Sequence, residues 1–160
     1  MTQLPEQAAI DPDDRRKHLD YIQAVVTRMS AASSAAKGWL LPVVTATYGY
    51  SLTKRVTSVA LLGVGAVLLF GFLDANYLRQ EKAYRRLYDA VARRTHEIPL
   101  FSLDPSHADD PAPPAATPLQ KIWLRIHRWF PNRTVWLSWS VAPFYGALVI
   151  VGCLIATLAQ

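Results

Sequence analysis

Residues 56–73 read VTSVALLGVGAVLLFGFL, a stretch of 18 residues without a charge. As an α-helix this stretch rises about 27 Å, close to the ~30 Å hydrocarbon core of a bilayer. Two more segments are nearly as apolar: residues 38–53, GWLLPVVTATYGYSLT, and residues 134–159, neither of which contains a charge. Most of the 17 Lys and Arg and 12 Asp and Glu residues lie elsewhere. This segregation predicts an all-α integral membrane protein with three transmembrane helices.

The first two apolar segments are expected to form a transmembrane hairpin over residues 38–73. Between them lie Lys54 and Arg55, whereas the other fifteen of the 17 basic residues flank the segments on the opposite side. The positive-inside rule therefore predicts a cytoplasmic N-terminus and an external C-terminus in the bacterial inner membrane. Lys37 and Asp74 are expected to reach the lipid headgroups. Pro143 is expected to kink the third helix.

The charged remainder of the chain is expected to lie in the cytoplasm and to divide into four pieces. In chain order they are an N-terminal amphipathic helix within residues 1–37, a helical stalk at 74–96, a Pro-rich linker at 97–118 and a basic amphipathic helix at 119–131. The third transmembrane helix follows at 132–160. No Gly or Pro follows Phe72 before His96, so the second span and the stalk are predicted to form one long helix.

Two apolar stripes mark the N-terminal helix and the stalk. In the N-terminal helix the stripe consists of Leu19, Ile22, Val25, Val26 and Met29; in the stalk it consists of Tyr84, Leu87, Tyr88 and Val91. Their helical spacing predicts that the two segments pack together in a small coiled-coil-like unit. The residues expected to carry cytoplasmic interactions are Tyr77, Glu81, Tyr84, Arg85 and Tyr88, with Glu81 and Arg85 as an i,i+4 pair.

Residues 119–130, LQKIWLRIHRWF, place apolar and aromatic side chains on one helical face and basic ones on the other. This pattern predicts an interfacial helix on the anionic inner leaflet, although its apolar face could instead pack on other cytoplasmic helices. The residues expected at the membrane interface are Trp39, Trp123, Arg125, Arg128, Trp129, Trp136 and Trp139, where tryptophan is enriched. An ordinary core role for the tryptophans is the alternative.

Small residues spaced by four mark candidate helix-packing or oligomerisation faces in the apolar segments. They are the pairs Thr45 and Gly49, Gly71 and Ala75, and Ala142 and Gly146. Such pairs let membrane helices approach closely, within one chain or between chains. Polar residues of the first and third segments could line a pore in an oligomer or hydrogen-bond internally in a monomer. A homo-oligomer or a partner membrane protein is therefore expected.

The sequence contains no recognisable catalytic, cofactor-binding or metal-binding motif. The four histidines lie in separate segments, and Asp104, His107 and Asp109 lie in a Pro-rich stretch with little preorganisation. The chain is therefore expected to be no enzyme and to bind no cofactor and no metal. Its positive charge is interleaved with acids and reflects membrane topology, so no nucleic-acid partner is expected.

Two sequence elements carry a family resemblance. They are RMSAASSAAKGW, from Arg28 to Trp39, and LDANYLRQEKAYRRLYD, from Leu73 to Asp89. They resemble a widespread group of small bacterial multi-pass membrane proteins, which carry R-M-x-x-x-S-x-x-x-K-G-W before the first span and L-D-x-x-Y-L-R-Q-E-x-x-x-R-x-L-Y-D after the second. The overall layout is also similar to that of transmembrane effectors of bacterial antiviral defence.

These observations favour a non-enzymatic inner-membrane protein that acts by oligomerisation or partner binding. Membrane permeabilisation in antiviral defence is one form that this action could take. The alternative is a structural or accessory subunit of a larger membrane complex. An enzyme that handles nucleotides or lipids through the stalk arginines is a third reading, which lacks any supporting motif.

Overall fold

A computed structural model describes residues 11–109, 135 and 137–159. In this part of the chain the regular structure is helical throughout. It comprises α1 (Pro12–Lys54), α2 (Thr57–Arg93), α3 (Ala142–Leu158) and a short 3-10 helix at Pro105–Ala108. The predicted all-α class is confirmed for these residues. The expected interfacial helix at 119–131 lies outside the described residues, and so do Trp123, Arg125, Arg128, Trp129 and Trp136.

Helix α1 joins two segments that the sequence pattern separates. The prediction divides the chain into an amphipathic helix and a first span, but the 43 residues from Pro12 to Lys54 form one helix. The connecting residues 30–37, SAASSAAK, are mostly alanine and serine, and nothing among them ends a helix. Pro42 lies in the helix interior, where its missing N–H leaves the carbonyl of Gly38 without its usual partner.

Both long helices end in the same way, with an arginine in the left-handed conformation. Arg55 follows α1 with φ of 56°, and Arg94 follows α2 with φ of 56°. The next N–H groups reach back, from Val56 to the carbonyl of Ser51 (3.3 Å) and from Thr95 to that of Ala90 (3.2 Å). These are the hydrogen bonds of a Schellman motif, which normally has glycine at this position.

Helix α2 is long and apolar enough to cross a membrane, and it is the one helix of the described chain that meets both criteria. It continues without a break into the stalk, as predicted, but ends at Arg93 rather than His96. Helix α3 is a shorter apolar helix of 17 residues. It starts later than the sequence pattern indicates, because residues 137–141 form turns. Pro143 consequently lies in its first turn, where proline is well tolerated, and the expected kink is wrong.

The chain divides into two compact units. Within the described residues, the first unit comprises 11–28 and 81–109, and the second comprises 29–80, 135 and 137–159. In the first unit the buried apolar side chains include Ile22, Val25, Leu87 and Ala90. Two of them belong to the predicted N-terminal stripe, and Leu87 belongs to the predicted stalk stripe.

The second unit is a three-helix bundle. Contacts fix its topology: Lys37 reaches Ser140, just before α3, and Arg55 donates to the carbonyl of Leu158 at the far end of α3. Helix α3 thus runs antiparallel to α2 and parallel to α1. Its core is almost entirely apolar and draws on all three helices: Leu40, Val44, Tyr48, Ala60, Val67, Val141, Tyr145, Ile155 and Ala156.

The outside of this bundle is also apolar. One third of the most apolar 18 residues of α2 are buried, so most of that stretch faces outward. Leu62 is 68% exposed, and Ile150 on α3 is 63% exposed. Large aliphatic side chains thus cover the surface of the bundle, whereas a helix at the centre of a water-soluble protein would be mostly buried.

Candidate functional site

A buried ion pair lies at one end of the three-helix bundle. The Nζ atom of Lys37 on α1 is 2.7 Å from Oδ2 of Asp74 on α2. The Asp74 side chain is fully buried, and that of Lys37 is 22% exposed. Charged side chains are rarely buried unless they are paired, because each loses its hydration. This pair is therefore the most costly polar feature of the bundle and the first candidate for a role beyond packing.

Two hydroxyl groups complete the surroundings of the pair. Ser33 lies one helical turn before Lys37 and donates to Oδ1 of Asp74. The Lys37 amine donates to the hydroxyl of Ser33 and to that of Ser140, each at 3.3 Å. Ser140 belongs to the turn that precedes α3. The cluster consequently ties together all three segments of the bundle.

Tyr145, in the first turn of α3, approaches the cluster from the other side. Its ring packs against Gly71, where an added Cβ would lie 3.2 Å from the ring. Its buried hydroxyl lies beside the Asp74 carboxylate. The residues Ser33, Lys37, Asp74, Ser140 and Tyr145 are called the polar cluster below.

The hairpin explains how residues far apart in sequence meet in this cluster. Lys37 precedes Arg55 by 18 positions and Asp74 follows it by 19, so both residues lie at the same height above the turn. Ser33 and Lys37 share one face of α1 because they are four residues apart. Ala75, next to Asp74, is fully buried and has too small a side chain to force α2 away.

Below the cluster, Tyr48 fixes how closely the helices pack. Its ring faces Gly63 on α2, where an added Cβ would lie 2.5 Å from Cε1, and it also faces Gly152 on α3. Its hydroxyl donates to the carbonyl of Leu148 at 3.0 Å. The two glycines form a slot for a large aromatic ring, which sets the separation of the helices that carry the polar cluster.

The first unit contains a second, smaller polar arrangement. His18 is buried, and its Nε2 atom lies 2.7 Å from the carbonyl oxygen of Ser102. Phe101 has φ of 61°, and its ring lies 5.9 Å from that of Tyr21, centroid to centroid. Arg86 pairs with Asp109 at 3.1 Å. These contacts hold residues 99–109 in the first unit, so this part of the predicted linker has a defined structure.

The structure brings some of the predicted helix-packing residues into contact and leaves others on the surface. Gly71 and Ala75 are buried within the chain. Thr45, Gly49 and Ala142 are exposed, and Gly146 is half-buried. An added Cβ at Gly49 or Gly146 would meet nothing within 4 Å. Gly71 and Ala75 therefore pack within the chain. Contacts between chains through the Thr45–Gly49 and Ala142–Gly146 pairs stay predictions.

The predicted interface and cytoplasmic residues are placed as follows. Trp39 is 72% exposed and Trp139 is 91% exposed. Glu81 is buried and accepts from Arg85, with Nη2 at 2.6 Å from Oε1. The aromatic stalk residues are half-buried: Tyr77, Tyr84 and Tyr88. The predicted roles of the tryptophans at the membrane interface, and of the stalk residues in cytoplasmic interactions, stay predictions.

Lys37 and Asp74 pair with each other inside the bundle instead of extending away from it, and their contact with lipid headgroups stays a prediction. Both side chains turn inward toward each other because ion pairing replaces the hydration that Asp74 loses on burial. Sequence reasoning treated the two residues separately and missed the site. Their equal distance from the hairpin turn was the signal that could have found it.

No group of three or more His, Cys, Asp or Glu side chains in the described ranges is placed to hold a metal ion. The polar cluster instead offers hydrogen-bond donors on α1 and α3 around one carboxylate on α2. Such an arrangement can hold the three segments together. Comparison with protein-family models, with curated proteins and with solved structures finds no match to this chain.

Proposed function

We propose that this chain is a three-span protein of the bacterial inner membrane that acts without catalysis, through association with further copies of itself. The spans are the second half of α1, the first half of α2, and α3, with the N-terminus in the cytoplasm and the C-terminus outside. The single observation that carries the proposal is the distribution of polarity in the second unit. Its aliphatic side chains face outward and its charged pair faces inward, an arrangement that suits a lipid solvent.

Two exposed tryptophans support the placement of the cytoplasmic boundary. Trp39 lies two residues after Lys37, and Trp139 precedes Ser140, the residue that Lys37 contacts. Both rings therefore lie near the level of the polar cluster. Indole rings favour the headgroup region, where their apolar surface and N–H group are both accommodated. The anionic inner leaflet would then lie at this level.

Association is supported by the small residues left on the surface of α1. Thr45 and Gly49 are exposed, one helical turn apart, and face away from the core of the bundle. In a membrane such a face lets a second helix approach closely, so that van der Waals contacts and weak hydrogen bonds form between chains. The proposal includes a relation to the small bacterial multi-pass membrane proteins and a role in antiviral defence, in which the oligomer permeabilises the membrane.

The association is tested by disulfide crosslinking in native membranes. In a Cys153→Ser background, Gly49→Cys is expected to give a crosslinked dimer, whereas Leu62→Cys on the exposed face of α2 serves as the matched control. Crosslinking at both positions alike, or at neither, would contradict self-association through this face. If the oligomer permeabilises the membrane, overexpression also lowers the membrane potential, and Gly49→Leu abolishes that effect.

An accessory subunit is the second candidate, and one observation favours it. Tyr21 and Phe101 of the first unit form an exposed aromatic pair, and Phe101 is held there with a positive φ. Exposed aromatic residues in a fixed geometry are common at protein interfaces. A partner that copurifies in fixed stoichiometry and is lost with Tyr21→Ala would favour this role.

A further inference from the structure

Helix α3 is the shortest of the three apolar helices, and much of its surface faces outward. Its 17 residues rise about 26 Å, whereas a typical hydrocarbon core is about 30 Å thick. Four of its aliphatic side chains are between 45% and 65% exposed: Ile150, Val151, Leu154 and Leu158. The length of α3 must therefore be matched by the apolar medium that surrounds it.

The inner end of α3 is unsuited to a place within hydrocarbon. Residues 137–141 form turns instead of continuing the helix, and Leu137 and Trp139 among them are 78% and 91% exposed. Val141, at the N-cap of α3, provides no side-chain hydrogen bond to cap the helix. Backbone groups at an uncapped helix end and in exposed turns need water or lipid headgroups as partners. The apolar surface of α3 consequently cannot be extended inward.

Contacts from α1 hold both ends of α3 and fix its depth relative to the hairpin. At the inner end, the Lys37 amine donates to the hydroxyl of Ser140 at 3.3 Å. At the outer end, Arg55 donates to the carbonyl of Leu158, also at 3.3 Å. Lys37 is itself paired with Asp74 at 2.7 Å, so its side chain is not free to extend toward distant headgroups, which is the usual adaptation of lysine.

The two long helices do not set the same limit. Beyond their apolar stretches, α1 and α2 continue as helices on the inner side, where their backbone groups stay hydrogen-bonded within the helix. A thicker bilayer could therefore enclose a further turn of either helix. Beside α3, however, it would enclose the exposed turns at 137–141. The limit on bilayer thickness is thus set by α3.

We propose that the bilayer beside α3 is thinned to about 26 Å, and that the protein binds lipids with short acyl chains there in preference to longer ones. This inference rests on the membrane placement proposed above. A span shorter than the hydrocarbon core is accommodated by thinning of the bilayer, by extension of flanking side chains or by oligomerisation. Because Lys37 is held inside the bundle, the lipids beside α3 take up the mismatch, and chains that match α3 avoid the cost of deformation.

The preference is measured with the full-length protein in phosphatidylcholine vesicles. Brominated acyl chains quench the fluorescence of nearby tryptophans such as Trp39 and Trp139, and an unbrominated lipid that binds better relieves the quenching. Unbrominated monounsaturated lipids with chains of about 14 to 22 carbons are compared in mixtures with one brominated lipid. The relative binding constant is expected to be highest at about 16 carbons and to fall about threefold at the longest chain.

A longer α3 should shift this optimum. Three leucines inserted after Leu158 lengthen the helix by about 4.5 Å and should move the optimum to chains about two carbons longer. The matched control inserts Ser-Gly-Ser at the same position and should leave the optimum unchanged.

Three results would overturn the proposal: an optimum at about 18 carbons or more for the unchanged protein, no dependence on chain length, or the same optimum in both insertion variants. Absence of quenching by the brominated lipid in every mixture would show that the protein does not lie in the bilayer. That result would overturn the membrane placement as well, so the two failures are distinguishable.

Discussion

The Lys37 amine and the Asp74 carboxylate, 37 residues apart in the chain, form an ion pair of 2.7 Å with the carboxylate fully buried. The pair lies at the end of the apolar parts of α1 and α2 that is farther from the hairpin turn. Placing two charges there costs desolvation energy that apolar residues would avoid. We therefore interpret the pair as fixing the register of α1 against α2, with Lys37 also contacting Ser140 before α3, rather than as a source of net stability.

Removing one partner of this pair should destabilise the protein strongly. Lys37→Met leaves the Asp74 charge buried with only hydroxyl donors, which is expected to lower the free energy of unfolding by about 3 kcal/mol. The double variant Lys37→Met/Asp74→Asn carries no charge and should regain at least half of that loss. Unfolding by sodium dodecyl sulfate in mixed micelles, followed by circular dichroism, measures both values.

Lys17 provides the control for this experiment. It pairs with Asp14 at 3.9 Å, with the two side chains 64% and 40% exposed. Lys17→Met should therefore change stability by less than about 0.5 kcal/mol. Equal stabilities for Lys37→Met and the unchanged protein, or no recovery in the double variant, would show that the pair has no such role.

The tyrosine slot predicts opposite effects at two neighbouring glycines of α2. An added Cβ at Gly63 would lie 2.5 Å from the Tyr48 ring, whereas at Gly65 it would meet nothing within 4 Å. Gly63→Ala should consequently cost about 1–3 kcal/mol through overpacking. Gly65→Ala should be neutral or stabilise by up to about 1 kcal/mol, because alanine favours the helix. The same unfolding assay distinguishes them, and equal effects would refute the slot.

Much of this architecture follows from local sequence patterns. The charge-free stretch from Val56 to Leu73 predicts an apolar helix, and the absence of Gly and Pro after Phe72 predicts its extension into the stalk. The stripe containing Ile22 and Val25 predicts a buried face, and both residues are buried. These features depend on periodicity and composition, which are properties of neighbouring residues.

The polar cluster could not be read in the same way, because it depends on tertiary contacts. Lys37, Asp74 and Ser140 come from three separate segments, and no periodicity within a segment indicates that they meet. The ends of the helices were missed for a related reason. Arg55 and Arg94 adopt the left-handed conformation that glycine usually provides, so the sequence contains no glycine signal at either position.

The arginine at the end of α2 gives a further prediction. Arg94 has φ of 56°, which costs a non-glycine residue roughly 1 kcal/mol, so Arg94→Gly should stabilise the protein by about that amount. Arg93→Gly removes the same charge at the last residue of α2, where φ is not positive and glycine gains nothing, and should destabilise by up to about 1 kcal/mol. Thermal unfolding followed by circular dichroism compares the two, and an identical shift in both would contradict the Schellman end.

The three-span topology is the central claim, and cysteine accessibility tests it most directly. In a Cys153→Ser background, single cysteines replace Lys54, Thr95 and Leu158, all exposed positions, and intact spheroplasts are treated with a membrane-impermeant maleimide. We predict labelling at positions 54 and 158 in intact spheroplasts, and labelling at position 95 only after the membrane is permeabilised. Labelling at position 95 in intact spheroplasts, or labelling of positions 54 and 158 from opposite sides of the membrane, would contradict the account.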